Sequence, residues 1–197
     1  MTSVVIIDSG GANLASLGYA LGRLGVSSIV SAVPEVIHNA SHVLLPGVGS
    51  AGNAMARLRT NKLHQSLPLL TQPLLGICLG MQLLYSRSDE DNTQCLGVLP
   101  GCVQRLSPVP GRPVPHMGWN TLRIQSQDPL LQGISASDYL YFVHSYYADR
   151  GTHTVASADY GVSLSAVVRH QNFCGVQFHP ERSGAAGARL LANFLSS

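Results

Sequence analysis

The 197-residue chain has few charges, with Asp, Glu, Lys and Arg making up 11% of it. At 45% hydrophobic residues it does not read as disordered, and its neutral surface leaves room for a partner. A net charge of +2 is too small to argue for nucleic acid or a membrane surface. No basic run with interleaved aromatics is present, which sets nucleic-acid binding aside. No apolar run approaches the length of a bilayer span. Met1-Thr2-Ser3 leads directly into Val4–Ile7 without a basic n-region or cleavage signal, so a cytosolic location is expected. The four cysteines, Cys78, Cys95, Cys102 and Cys174, include no Cys-x-x-Cys pair, which disfavours both a disulfide framework and a cysteine metal site. Gly10-Gly11 lacks the lysine of a phosphate loop and the spaced glycines of a dinucleotide fold. No cofactor or metal is implied.

What is present alternates. Val4–Ile7 is a short β-branched run of the kind buried on both faces of a parallel sheet. After a turn at Gly10-Gly11, Leu14, Leu17, Leu21 and Leu24 recur at helical spacing until Gly25. Strands are predicted over Ser28–Ser31, 43–45 and 74–77, and helices over 36–40, 54–59, 63–70 and 79–84. This order predicts βαβ units and a parallel sheet. Further on, 88–94 reads as a loop, and four prolines in 108–115 exclude regular structure there. Short β-type runs follow at 121–124, 139–144, 154–156, 166–169 and 173–178, the last two flanking a hairpin at His170-Gln171-Asn172. A helix carrying Leu190, Leu191, Phe194 and Leu195 ends the chain. The expected architecture is one α/β domain over residues 1–197. It has an open, mixed, mainly parallel sheet flanked by helices and an antiparallel C-terminal part.

Chemistry concentrates in Gly76-Ile77-Cys78-Leu79-Gly80, a Gly-x-Cys-x-Gly between a strand and a helix. Such an elbow exposes a nucleophile on a strained turn, and its glycines let neighbouring backbone approach. N–H groups at the helix start favour thiolate over thiol. A packing cysteine needs neither glycine, so Cys78 is the candidate nucleophile and Cys95, Cys102 and Cys174 are ordinary buried cysteines. A thiolate wants an imidazole, and the imidazole wants an orienter. His179 closes a strand ahead of Pro180, and Glu181 lies two residues on, on the same side of an extended chain. His38, His42, His64, His153 and His170 have no such surroundings. His-x-Glu alone also suits a metal, but no third ligand is marked.

With these residues in hand, Gly76–Gln82 together with His179-Pro180-Glu181 resembles a class I, triad-type glutamine amidotransferase domain. More narrowly, four segments resemble the glutaminase subunits of imidazole glycerol phosphate synthase. They are Leu45-Pro46-Gly47-Val48-Gly49, Pro115-His116-Met117-Gly118-Trp119-Asn120, Tyr141-Phe142-Val143-His144-Ser145-Tyr146 and 176–183. The resemblance implies that Cys78 attacks the side-chain amide of glutamine, His179 moves protons and Glu181 orients His179. It implies an oxyanion hole from the backbone N–H of Leu79 and a second donor at Val48 or Gly49. It places Gln82, His144, Ser145 and Tyr146 on the substrate's amino-acid head. It also implies a heterodimer with a (β/α)8-barrel cyclase that forms imidazole glycerol phosphate and an aminoimidazole carboxamide ribonucleotide. Asn13, His116, Met117, Trp119, Asn120 and Arg182 are the candidate contacts. Ser9, Ala12 and Ala51 depart from the family pattern, which bears on that interface.

Two rival readings remain open on the residues alone. A γ-glutamyl peptidase, or an amidotransferase of another pathway, would keep the triad and lack the 115–120 segment. A catalytically dead binding subunit on the same fold would not need an intact triad.

Overall fold

A computed structural model describes residues 3–9 and 14–197. Its first half follows the alternation in the sequence. Strand β1 (Val4–Ile7), helix α1 (Leu14–Arg23), β2 (Ser28–Ser31), α2 (Pro34–His38), β3 (His42–Gly47), α3 (Ala51–Thr60), α4 (Leu63–Ser66) and β4 (Leu74–Cys78) succeed one another. Each helix spans a crossover between parallel strands. Within β1, Val4 and Ile6 pack into one apolar layer and Val5 and Ile7 into the other. That period-two split explains why a run without polar residues is a strand rather than a helix turn. The expected helix over 63–70 is shorter, because Pro68 forces the 3-10 turn Leu67–Leu69.

Helix α5 (Leu79–Leu83) also stops early, and the chain passes into β5 (Tyr85–Ser88) and β6 (Thr93–Gln94), where a loop was expected. Strand β7 (Leu99–Arg105) has no clean alternation, its burial following side chains of mixed polarity. Strand β8 (His116–Asn120) inverts the usual pattern. His116 points inward, and Met117 and Trp119 stand 67% and 56% exposed, so hydrophobicity alone does not mark this segment as a strand. Next come β9 (Arg123–Ile124), β10 (Leu140–His144), β11 (Tyr146–Ala148), β12 (Thr154–Asp159), β13 (Ser163–His170), β14 (Phe173–Val176) and α6 (Gly184–Leu195). The proline segment contributes only an isolated bridge between Val109 and Arg112.

The main sheet has eight strands in the order β2-β1-β3-β4-β14-β13-β12-β9. Strands β2 through β14 of that order pair in parallel, and β13, β12 and β9 run antiparallel. The hairpin at Gln171-Asn172 joins β13 to β14 and turns β14 parallel to β4. Two smaller ladders lie outside this sheet, β10 with β8 and β11-β7-β5-β6. Among the described residues, no helix is long and apolar enough to cross a membrane.

Candidate active site

Three neighbouring parallel strands end at one edge, where ligands of open α/β sheets bind. Register sets the levels. Gly47 of β3 lies beside Cys78 of β4, and Val176 of β14 lies beside Ile77. The Val48-Gly49 loop, the cysteine and the Gln177–His179 extension therefore leave the sheet together. An open cavity of about 360 Å³ sits above them. Its lining includes Val48, Gly49, Cys78, Leu79, Gln82, Glu90, His144, Ser145, Tyr146 and His179.

Cys78 has φ 54° and ψ −111°, a region that costs an L-residue about 1–3 kcal/mol. Surrounding backbone enforces it. A Cβ on Gly80 would run into the carbonyl oxygen of Leu45, and one on Gly76 would lie 2.7 Å from the carbonyl oxygen of Gly80. Both elbow glycines are thus required by close approach, as their spacing predicts. Helix α5 has five residues, too few for a large macrodipole.

The thiol is held from two directions. It donates to the Val143 carbonyl at 3.7 Å and accepts from Gln177 Nε2 at 3.7 Å. His179 Nδ1 meets Glu181 Oε1 at 2.9 Å, with both side chains less than a tenth exposed. Burial alone would push this imidazole down. Hydrogen bonds to Cys78 and Glu181, and their charges, outweigh it and hold the imidazole well above its ordinary range. The backbone fixes His179 too: its N–H donates to the Tyr141 carbonyl at 2.9 Å. Ser183 Oγ donates to the His179 carbonyl at 2.7 Å and accepts from the Tyr141 N–H. Cys78 and His179 thus line one cavity, with Glu181 behind the imidazole.

The expected substrate residues all line the cavity, with different freedom. Both amide protons of Gln82 are engaged, by the Tyr146 carbonyl at 2.8 Å and Gln177 Oε1 at 2.9 Å. His144 is buried and uses both ring nitrogens, on Tyr146 and His116. Ser145 and Tyr146 are half-buried. Val48 and Gly49 line the cavity beside Cys78, Gly49 at φ +86°.

Of the expected partner contacts, Met117, Trp119 and Arg182 are exposed on one face. The Arg182 guanidinium lies 6.0 Å above the Tyr141 ring, and Trp119 meets that ring edge-on at 5.7 Å. His116 is a correction. It is 3% exposed, sandwiched between Phe142 and Tyr160, and lies beneath that face rather than on it. Asn120 is half-buried and donates to the Asp159 carbonyl and towards His116. Asn13 and Ala12 fall outside the described residues. Ala51 is fully buried, so its departure from the family pattern changes packing under α3 and not the exposed face. Ser9 donates to the Pro46 carbonyl at 2.9 Å, at the root of the Val48-Gly49 loop.

Sequence reasoning missed Gln177 and Glu90. Gln177 was legible through period two, since it precedes His179 by two along an extended segment. Glu90 was not, because it arrives on a 3-10 turn, where its carboxylate accepts the Ala51 N–H at 2.8 Å. Burial raises the Glu90 carboxyl above its ordinary value. Cys95 and Cys174 are buried apart from the cavity, and burial pushes both thiols up to about 11.

Comparison with known proteins places the chain in a family. Imidazole glycerol phosphate synthase subunit HisH of Xanthomonas euvesicatoria pv. vesicatoria (strain 85-10) is 51% identical over 195 residues, 99% of this chain and 98% of that one. The same subunit of Xylella fastidiosa (strain Temecula1 / ATCC 700964) is 51% identical with the same coverage. Among solved structures, a glutamine amidotransferase aligns with a TM-score of 0.76 at 23% identity, over 98% of this chain and 97% of that one. A glutamine amidotransferase from Thermotoga maritima aligns with a TM-score of 0.67 at 19% identity, over 99% and 81%. The class-I glutamine amidotransferase family itself matches residues 5–197, and the chain belongs to that family.

Proposed function

We propose that the chain is the glutamine-hydrolysing subunit of imidazole glycerol phosphate synthase, working in the cytoplasm and in histidine biosynthesis beside a (β/α)8-barrel cyclase. The observation that carries the chemistry is the buried Glu181–His179 contact of 2.9 Å next to the strained Cys78. Glutamine enters the cavity with its side-chain carbonyl between the Leu79 N–H and the Val48 or Gly49 N–H. Those donors oppose the negative charge that develops on the oxygen. Cys78 Sγ attacks the amide carbon as His179 takes its proton. The C–N bond breaks as His179 returns that proton to the leaving nitrogen, giving ammonia and a thioester. A water then attacks the thioester with His179 as base, releasing glutamate and regenerating the thiol. Glu181 keeps Nδ1–H of His179 engaged throughout, leaving Nε2 for the proton traffic.

Glu90 is the carboxylate in the cavity lining, and it suits the α-ammonium group of glutamine. Gln82 supports the site from below by bracing Tyr146 and Gln177. The ammonia goes to the cyclase, whose docking face on this chain includes Met117, Trp119, Asn120 and Arg182. The identity of near half-and-half across the whole length with synthase subunits supports this pathway over a γ-glutamyl peptidase. The intact triad weighs against a dead binding subunit.

The test is the complex with the cyclase carrying Cys78→Ala. Glutamine-dependent product formation is expected to vanish while the reaction fed with ammonium salts continues. Loss of both activities in a folded complex, or retention of both, overturns the assignment.

A further inference from the structure

His116 takes no part in the chemistry above, lies under the exposed face and is nonetheless tied to the cavity by side-chain bonds. Strands β8 and β10 pair so that His116 faces His144 directly. His116 Nδ1 lies 3.0 Å from His144 Nε2, and His144 Nδ1 lies 2.8 Å from the Tyr146 carbonyl. A carbonyl only accepts, so His144 must carry its proton on Nδ1. Burial holds both imidazoles far below their ordinary range, at about 3 for His144 and about 4 for His116, so both are neutral. His144 Nε2 is therefore an acceptor, and His116 must present Nδ1–H to it. That leaves His116 Nε2 as an acceptor facing Asn120 Nδ2 at 3.5 Å. Every donor in this row points towards the cavity.

The row ends on the Tyr146 carbonyl, which also accepts from Gln82 Nε2. From Gln82 the bonding continues to Gln177 and on to Cys78 Sγ. Stacking between Phe142 and Tyr160, at 4.9 and 3.9 Å, leaves the His116 ring no room to turn over. The opposite tautomer of His116 would set two lone pairs against each other across 3.0 Å.

We propose that His116 is a positioning residue for glutamine binding: its Nδ1–H fixes the His144 tautomer and thereby the course of the Ser145-Tyr146 backbone along the cavity wall. The inference rests on the reading of residues 144–146 as the wall that holds the substrate's head. It reassigns His116 from the partner face to the site.

The test uses steady-state glutaminase kinetics of the complex, with a melting curve for each variant. His116→Phe keeps the stack and removes the donor. It is expected to raise KM for glutamine about five-fold, the size of one lost hydrogen bond, with kcat moved much less. His116→Asn carries an amide N–H near the position of Nδ1–H and is expected to restore most of the lost affinity. Ser145→Ala serves as the control on the wall itself and is expected to raise KM. An unchanged KM in His116→Phe beside a raised KM in Ser145→Ala overturns the role of His116 and leaves the wall intact. Unchanged KM in both overturns the reading of the wall, and the inference with it. His116→Asn as impaired as His116→Phe overturns the donor argument. A second measurement does not depend on variants: imidazole ¹⁵N shifts of the wild-type protein are expected to show the Nδ1–H tautomer at both His116 and His144. The Nε2–H tautomer at either overturns the proposal.

Discussion

The elbow and the β8–β10 ribbon border the same cavity and are held by opposite means. At the elbow, backbone presses on backbone: Gly76 meets Gly80 and Met81, and Gly80 meets Leu45, so closely that neither glycine has room for a Cβ. In the ribbon, imidazoles and amides are spaced at hydrogen-bond distance and stacked on rings. Steric fixation tolerates changes of pH and fails with one added methyl. Polar fixation tolerates small shape changes and fails when a proton is added. Each half of the site should therefore break under a stress that the other survives.

The largest effect is expected at the elbow. Gly80→Ala places a methyl into the Leu45 carbonyl and is expected to cost more than about 4 kcal/mol, enough to abolish folding of an ordinary domain. Chemical denaturation, or recovery of soluble protein, measures it. A stable, active Gly80→Ala would show that the elbow yields more than its packing allows. Next in size is Glu181→Gln, which keeps the shape but loses the charge that stabilises an imidazolium. Glutaminase turnover is expected to fall by about 10²-fold or more with Tm little changed. Wild-type turnover would remove Glu181 from its orienting role.

Acid should act on the ribbon first. Unfolded histidines bind a proton near pH 6.5, whereas folded His116 and His144 do so only at about 4 and about 3, chiefly because they are buried. Between those limits the unfolded chain holds more protons, so their contribution to stability is complete above pH 6.5 and drains away as pH falls through 4 and 3. Melting at pH 5 is expected about 5 °C or more below that at pH 7, and by less in His116→Phe. Equal falls in both proteins would locate the acid sensitivity elsewhere. The smallest structural effect belongs to the outer face. Arg182→Ala and Trp119→Ala are expected to leave Tm within about 2 °C, because both side chains are exposed. They should nevertheless weaken the rise in glutaminase rate as cyclase is added. An unaltered activation curve for both would move the docking face elsewhere.

The same contrast explains what could be read from the chain. The elbow needs particular residue types at fixed spacing, so Gly76, Cys78 and Gly80 announce themselves, and His179-Pro180-Glu181 does so for the same reason. The parallel strands are legible because both faces are buried and every residue is apolar. Strand β8 is not, because His116 and Asn120 point inward while Met117 and Trp119 point out, against the rule that pattern reading relies on. Its motif placed His116 at an interface, and only burial moves it to the interior. Glu90 was invisible because a short turn between β5 and β6 carries it to the cavity, and no periodicity governs such a turn.

Strand register has one more consequence. Cys78 and the amide that braces it at Gln177 are 99 residues apart, and β14 brings them level only when paired with β4 in one alignment. Side chains alternate along an extended chain, so a slip by a single residue would turn His179 to the far side of the sheet and leave a thiol with no base. The elbow is complete in sequence by Gly80, whereas His179 arrives only with the β13–β14 hairpin. Cys78 and His179 therefore come level only through the β4–β14 pairing, and a form of the chain without that pairing keeps them apart.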